Sequence, residues 1–208
     1  MDRVFKLKYL EQLIGVVDHL NLRLGIVHGD SCPWNLLVDA ETDNIQLFDF
    51  NCAARLGWEG DEENRLEFRY EPDRNDVKFV IFTVYELITR EFCFRREFYP
   101  HELDESEVMS KKTWAKHREA KLDRPVAEYR RVLTEWVKRR AQTNKSVDHF
   151  TKASEPLSWP PLQVEPFMAW DQSPLKKRGR MRSTMSAPGQ ELPKMGTPGD
   201  GVFAACRG

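Results

Sequence analysis

Between Val77 and Thr89, nine of thirteen residues are apolar: Val77, Phe79, Val80, Ile81, Phe82, Val84, Tyr85, Leu87 and Ile88. At 100° per residue these positions cover nearly the whole circumference, so the spacing predicts a helix buried on all sides rather than one lying on a surface. A strand competes, because the run is rich in β-branched and aromatic residues. Its length, Asp76 as a candidate cap and Arg90 at its end favour helix. Such an element belongs at the centre of a fold.

The flanking sequence supplies further helices. Leu10, Leu13, Ile14, Val17, Leu20 and Leu24 recur at steps of three or four, predicting an amphipathic helix over residues 5–24. Gly25 follows at the position where a left-handed residue ends a helix. Ile26 and Val27 read as a short buried strand-like segment. Residues 52–75 are expected to be irregular, with Asp61 to Asn64 on a solvated loop. Residues 91–104 read as loop, and Glu105 to Lys121 as a helix turning Val108 and Trp114 inward. The last helix follows Asp123-Arg124-Pro125, with the proline in its first turn. Val126, Tyr129, Leu133, Trp136 and Val137 form its stripe, and Lys138, Arg139 and Arg140 are expected to be a solvated basic end suited to the helix dipole.

Order is expected to fade from about Ala141. Eight of the twelve prolines lie beyond Lys152, among Ser, Thr, Gly and charged residues, which predicts a disordered Pro-rich tail over 142–208. Within it, Trp159-Pro160-Pro161 and Phe167-Met168-Ala169-Trp170 are candidates for docking on the domain or on a partner groove. Lys176-Lys177-Arg178-Gly179-Arg180 is similar to a basic nuclear-import patch. The net charge of −1 gives no pull toward nucleic acid or membrane. No apolar run approaches membrane-spanning length. The four scattered cysteines form no Cys-x-x-Cys pair, which argues for reduced thiols in a cytoplasmic or nuclear protein and against a zinc site.

The chemistry concentrates between His28 and Asn51: His-Gly-Asp-Ser-Cys-Pro-Trp-Asn-Leu-Leu-Val-Asp, a polar turn, then Ile-Gln-Leu-Phe-Asp-Phe-Asn. Asp30 is placed to accept a proton from an attacking hydroxyl, while Asn35 and Asp49 offer hard oxygen ligands suited to magnesium. Leu36 to Val38 and Ile45 to Phe48 read as a small hairpin that returns Asp49 to the loop carrying Asp30.

This set resembles the protein-kinase-like superfamily, whose catalytic loop is His-Arg-Asp with an Asn five residues after the Asp, followed by Asp-Phe-Gly. Here the motifs are His28-Gly29-Asp30, spelled as in the aminoglycoside and choline phosphotransferase branch, and Asp49-Phe50-Asn51. The resemblance implies a mainly α lobe of an α+β superfamily over residues 5–141: a kinase-like C-terminal lobe with one small β-hairpin. It implies ATP and Mg²⁺ as cofactors, Asp30 as base, Asn35 and Asp49 as metal ligands, and His28 and Asp76 as structural supports. Asp76 would hydrogen-bond the backbone of the His-Gly-Asp loop from the mouth of the buried helix.

Several positions depart from the family pattern. Gly29 replaces the arginine that reads a phosphorylated activation segment, Cys32 replaces the catalytic-loop lysine, and Asn51 replaces a glycine. Tyr70-Glu71-Pro72 is a distant counterpart of Ala-Pro-Glu. No Gly-x-Gly-x-x-Gly and no Val-Ala-Ile-Lys occurs in the 208 residues, and one predicted helix occupies nearly everything before His28, so the resemblance covers a C-terminal lobe without its nucleotide lobe. Three functions follow as expectations: a kinase-like phosphotransferase needing that lobe from elsewhere, a small-molecule phosphotransferase fragment, or a noncatalytic pseudokinase-like module. A protein substrate or scaffold partner is expected, and activity of the isolated chain is not.

Overall fold

The computed structural model describes residues 4–59, 70–97 and 101–158. The chain divides into two units, Met1–Ser158 and Trp159–Gly208, and every described residue belongs to the first. The aromatic and basic clusters expected in the tail, and the acidic Asp61 to Asn64, lie outside the described residues. The described part is 48% helix and 9% strand, a mixed class dominated by helix.

Helix α1 spans Leu7–Asp18 and buries Tyr9, Leu10, Leu13, Ile14 and Val17, the stripe its spacing predicts. Its N-terminus is capped from far along the chain, where the Asp123 carboxylate accepts from the Leu7 amide at 2.8 Å. The helix then widens into a π-turn over His19–Leu24, and Gly25, at φ +69°, ends it. A side chain at Gly25 would be strained by that left-handed backbone and would stand 2.8 Å from the Phe150 Cα.

Strand β1 (Ile26–Val27) pairs antiparallel with β4 (Ala54–Arg55), in the register Ile26↔Arg55 and Val27↔Ala54. The predicted hairpin forms between β2 (Leu36–Val38) and β3 (Ile45–Leu47), in the register Leu36↔Leu47 and Val38↔Ile45. That register turns Leu36 and Ile45 into the core and leaves Leu37 and Gln46 on the outer face. Segment 52–75 is therefore not wholly irregular, because β4 lies within it.

Helix α2, Asp76–Thr89, is buried on nearly every side. Tyr9, Leu10, Leu13, Ile81, Phe82, Val84, Tyr85, Ile88, Leu133 and Trp136 belong to one continuous core around it. At about 25 cal/mol per Å² of apolar area, this burial supplies the main driving force for the fold. The cap differs from the expectation: Asn75, not Asp76, accepts from the Val77 amide at 2.8 Å. Asp76 is the first helical residue, and its side chain is committed elsewhere.

Three other expectations are corrected. Residues 91–104 contain a short helix α3 (Cys93–Glu97). The helix expected over Glu105 to Lys121 stops after one turn as α4, Glu105–Met109. The physical reason is Arg130, whose guanidinium takes the carbonyl oxygens of Lys111 and Lys112 at 2.6 and 2.5 Å, acceptors that a continuing helix would need. Val108 and Trp114 still turn inward, and the Trp114 indole donates to the Val108 carbonyl at 2.9 Å. Helix α5 runs Val126–Thr143, with Pro125 just before it rather than in its first turn.

The boundary near 141 is also early. After α5 the chain folds back as a strap: Ser154, Glu155 and Leu157 donate their amides to the carbonyls of Leu22, Arg23 and Leu24 at 3.3, 2.8 and 3.0 Å. These carbonyls close the π-turn and have no helical partner further on, so the strap satisfies polar groups that the end of the first helix leaves open. Among the described residues no helix is long and apolar enough to cross a membrane.

Candidate functional site

The loop from His28 to Asn35 joins β1 to β2 and is held from behind by α2. Asp76, 1% exposed, accepts from the His28 amide at 2.8 Å through Oδ2 and from the Gly29 amide at 2.9 Å through Oδ1. Oδ2 also accepts from Asn21 Nδ2 at 2.8 Å, and the Ser31 hydroxyl approaches Oδ1 at 3.4 Å. Two turns further along α2, the Thr83 hydroxyl donates to the Ser31 carbonyl at 2.6 Å. Two positions of a buried helix, two turns apart, thus fix the loop backbone.

Gly29 explains itself. Its φ is +75°, and a Cβ there would stand 2.5 Å from the carbonyl oxygen of Cys52, so no larger residue fits this conformation. Arg74 reaches the Gly29 carbonyl at 3.4 Å while paired to Glu71 at 2.7 Å.

His28 is fully buried. Its Nε2 lies 3.0 Å from the Phe48 carbonyl and must donate to it, while Nδ1 accepts from the Asp30 amide at 3.3 Å. The ring therefore ties the loop to the end of the hairpin. Phe48 returns the tie, donating its amide to the Asn35 carbonyl at 3.1 Å. Asp49 comes next, and this double bond to Phe48 carries it to the edge of the loop.

The structure brings Asp30 and Asn35 together. Asn35 Nδ2 donates to the Asp30 carbonyl at 2.9 Å and to its carboxylate at 3.0 Å. That leaves one Asp30 oxygen free of this contact on a partly exposed side chain. Asp49 is exposed, sits at φ +63°, and turns its carboxylate back toward the Asn51 amide at a long 3.4 Å. His28, Asp30, Asn35 and Asp76 thus form one bonded unit, with Asp49 beside it rather than in it.

The expected metal ligands fit magnesium in their chemistry. Asn35 commits its amide nitrogen to Asp30, which leaves its oxygen as a hard donor, and Asp49 offers an exposed carboxylate. Two such oxygens suit a small cation that keeps several waters rather than a closed protein cage. No cluster of three or more His, Cys, Asp or Glu side chains that could hold a metal occurs among the described residues.

Cys32 is fully buried. Burial, and then the negative charge of Asp30, push its thiol up to about 12, so a neutral S–H stands beside the Asp30 carboxylate. Positive charge lies deeper. Arg95, from α3, donates through Nε to both oxygens of Glu86 at 2.9 Å and through NH2 to Thr83 Oγ1 at 2.8 Å. Glu86 is fully buried, and desolvation pushes its carboxyl up to about 7 against the pull of Arg95.

Sequence reasoning missed Asn21, Thr83, Glu86, Arg95 and Arg140. Two of them carried a signal: Asn21 interrupts the apolar stripe of the first helix, and Glu86 interrupts the run of α2. A polar residue on a buried face needs a partner. Arg140, expected in a solvated basic end, is 4% exposed and binds Asp18 and Asn21 at 3.2 and 2.8 Å. Burial lowers its guanidinium from the usual range, and the charges of Asp18 and Asp76 oppose that shift.

No family model, curated protein or solved structure matches this chain.

Proposed function

We propose that residues 5–158 form the C-terminal lobe of a protein-kinase-like phosphotransferase, with ATP as phosphoryl donor and a protein hydroxyl or small-molecule alcohol as acceptor. The observation that carries this reading is the bonded unit around the loop. A buried helix presents Asp76 to the backbone of His28 and Gly29, which leaves Asp30 facing outward with Asn35 locked to it. A packing motif would not need an oriented carboxylate at the open side of so constrained a loop.

In this reading Asp30 accepts the proton of the attacking hydroxyl as it approaches the phosphorus. Asn35 fixes the Asp30 carboxylate by donating to it, and its own oxygen together with the Asp49 carboxylate would hold the metal. Magnesium, when bound, neutralises charge on the nucleotide phosphates. Thr83 and Asp76 keep the loop from rearranging, since phosphoryl transfer depends on positioning more than on covalent chemistry.

A noncatalytic, pseudokinase-like scaffold is the second reading, favoured by Cys32. Its neutral, buried thiol stands where a cation would stabilise developing negative charge. The described residues also offer no glycine-rich cover for phosphates. The 208-residue chain is therefore expected to bind magnesium-nucleotide weakly and to give no detectable turnover. Titration with ATP and magnesium, followed by a phosphate-transfer assay with Asp30→Asn as control, tests both readings. Micromolar binding with transfer abolished by Asp30→Asn establishes the enzyme without further parts. Weak binding that disappears in Asp49→Ala indicates a metal site without catalysis. No binding at any concentration leaves the scaffold.

A further inference from the structure

Asp76 does not stand alone behind the loop. Asn21, in the π-turn, donates Nδ2 to Asp76 Oδ2 at 2.8 Å and to the Ile26 carbonyl at 2.7 Å, and accepts at Oδ1 from Arg140 at 2.8 Å. Arginine can only donate, so the orientation of this carboxamide is fixed by its neighbours. The order of groups is then a positive guanidinium, an amide dipole aligned with it, a carboxylate, and the two loop amides of His28 and Gly29. Each member polarises the next in the same sense. Arg140 also bonds Asp18 Oδ1 at 3.2 Å, to which the Trp136 indole donates at 2.9 Å, so the far end of the series, on α5, is anchored to the end of α1.

The series is poorly explained as packing. Arg140 Nε is buried without a hydrogen-bond partner. A cavity of about 160 Å³, lined in part by Asn21, Tyr70, Asn75, Asp76, Arg140 and Asn144, adjoins the network, so the arginine does not fill the space around it. A buried cation costs stability that an apolar side chain of similar volume would not. The π-turn adds a second irregularity at the same place: it widens the helix where Asn21 turns inward, and such turns occur often at functional sites.

We propose that Asn21 and Arg140 are positioning residues for the His28–Asp30 loop, acting through Asp76. Arg140 holds the Asn21 carboxamide, Asn21 holds Oδ2, and the carboxylate so oriented spans both loop amides. The functional weight of the inference rests on the loop being the catalytic one. Its physical content does not, and it can be read without any activity.

The test uses the full 208-residue chain labelled with ¹⁵N, and follows amide exchange and chemical shift at His28 and Gly29. In Arg140→Met, exchange at these two amides should rise by about tenfold more than at Val84 and Tyr85 in the middle of α2, and both signals should move upfield as their bonds to Asp76 lengthen. Asn21→Asp, which sets one carboxylate against another, should do the same. Arg140→Lys keeps the charge but not the planar fork and should give a smaller rise. Arg131→Met, on the exposed side of the same helix and paired only with Glu135, should change neither amide. Unchanged shifts and exchange at His28 and Gly29 in a folded Arg140→Met protein would overturn the proposal, as would a rise no larger than that in α2. If Arg140→Met does not fold, Asn21→Asp and Arg140→Lys decide by the same criterion. Failure to bind magnesium-nucleotide would count against the proposed function and leave these amide measurements as they stand.

Discussion

The loop from His28 to Asn35 has two faces that could hardly differ more. Behind it, Asp76 and Thr83 project from a buried helix and bond backbone groups of His28, Gly29 and Ser31. In front, Asp30 is half-exposed, Asp49 is exposed, and Trp34, Leu37, Phe48 and Phe50 are among the few large apolar side chains left at the surface. The rear is over-determined and the front is under-used. The same short chain segment is treated as core on one side and as an available surface on the other. Stability and chemistry are thereby assigned to different residues, and substitutions can separate them.

The largest effect should come from the rear. Asp76→Ala strips acceptors from the His28 and Gly29 amides and from Asn21, all buried, and should destabilise the domain by about 3 kcal/mol. Denaturant melts measure this, and an unshifted midpoint would erase the distinction between the two faces. Next comes Glu86, whose carboxyl burial pushes up to about 7 from its ordinary 4.5. In this direction the folded state holds a proton that the unfolded state has released. The contribution is complete below about pH 4.5 and is lost as pH rises, levelling off above about 7. Relative to Glu86→Gln, the wild type should lose on the order of 2 to 3 kcal/mol across that window. A flat difference in pH-dependent melts would mean that Arg95 keeps Glu86 charged throughout.

Gly29→Ala should cost about 2 kcal/mol, because the added Cβ meets the Cys52 carbonyl in a left-handed conformation. Thermal melts check it, and tolerance would show that the loop can shift as a body. The smallest effect belongs to the front. Asp49→Asn should change stability by no more than about 0.5 kcal/mol, since an exposed side chain at that edge supports little. Any weak binding of magnesium-nucleotide should fall with it, as followed by calorimetric titration. A large loss of stability at Asp49 would move that residue from the front face to the rear.

Much of the frame was legible in the chain itself. Leu10, Leu13, Ile14 and Val17 announced α1, Gly25 its end, and the apolar run from Val77 the central helix; these are local periodicities that burial enforces. The loop motif placed Asp30 beside Asn35 because five residues is a fixed short reach. What escaped depends on partners distant in sequence. Asp123 caps α1, Arg130 stops α4, and Arg140 bonds Asn21 from 119 residues away, contacts that no window of sequence can reveal. Asn75 and Asp76 illustrate the limit well. Both suit a cap, and only the presence of buried loop amides assigns the cap to one and the loop to the other. The strap of residues 144–158 escaped for a different reason: its bonds are made by backbone amides, which carry no side-chain signature.

That strap has a consequence for how the protein is made. The carbonyls of Leu22, Arg23 and Leu24 are made long before the amides that satisfy them, at 154 to 157, which follow only after nearly all the described residues. Phe5 waits almost as long for its bond to the Lys121 carbonyl. At about 5 to 20 residues per second, the nascent first helix spends several seconds with its C-terminal end unlatched and its apolar stripe uncovered. Closing contacts so far apart in sequence also slows folding once the chain is released. The vulnerable interval in the life of this protein therefore falls during synthesis, when α1 would be the segment a chaperone has most reason to hold.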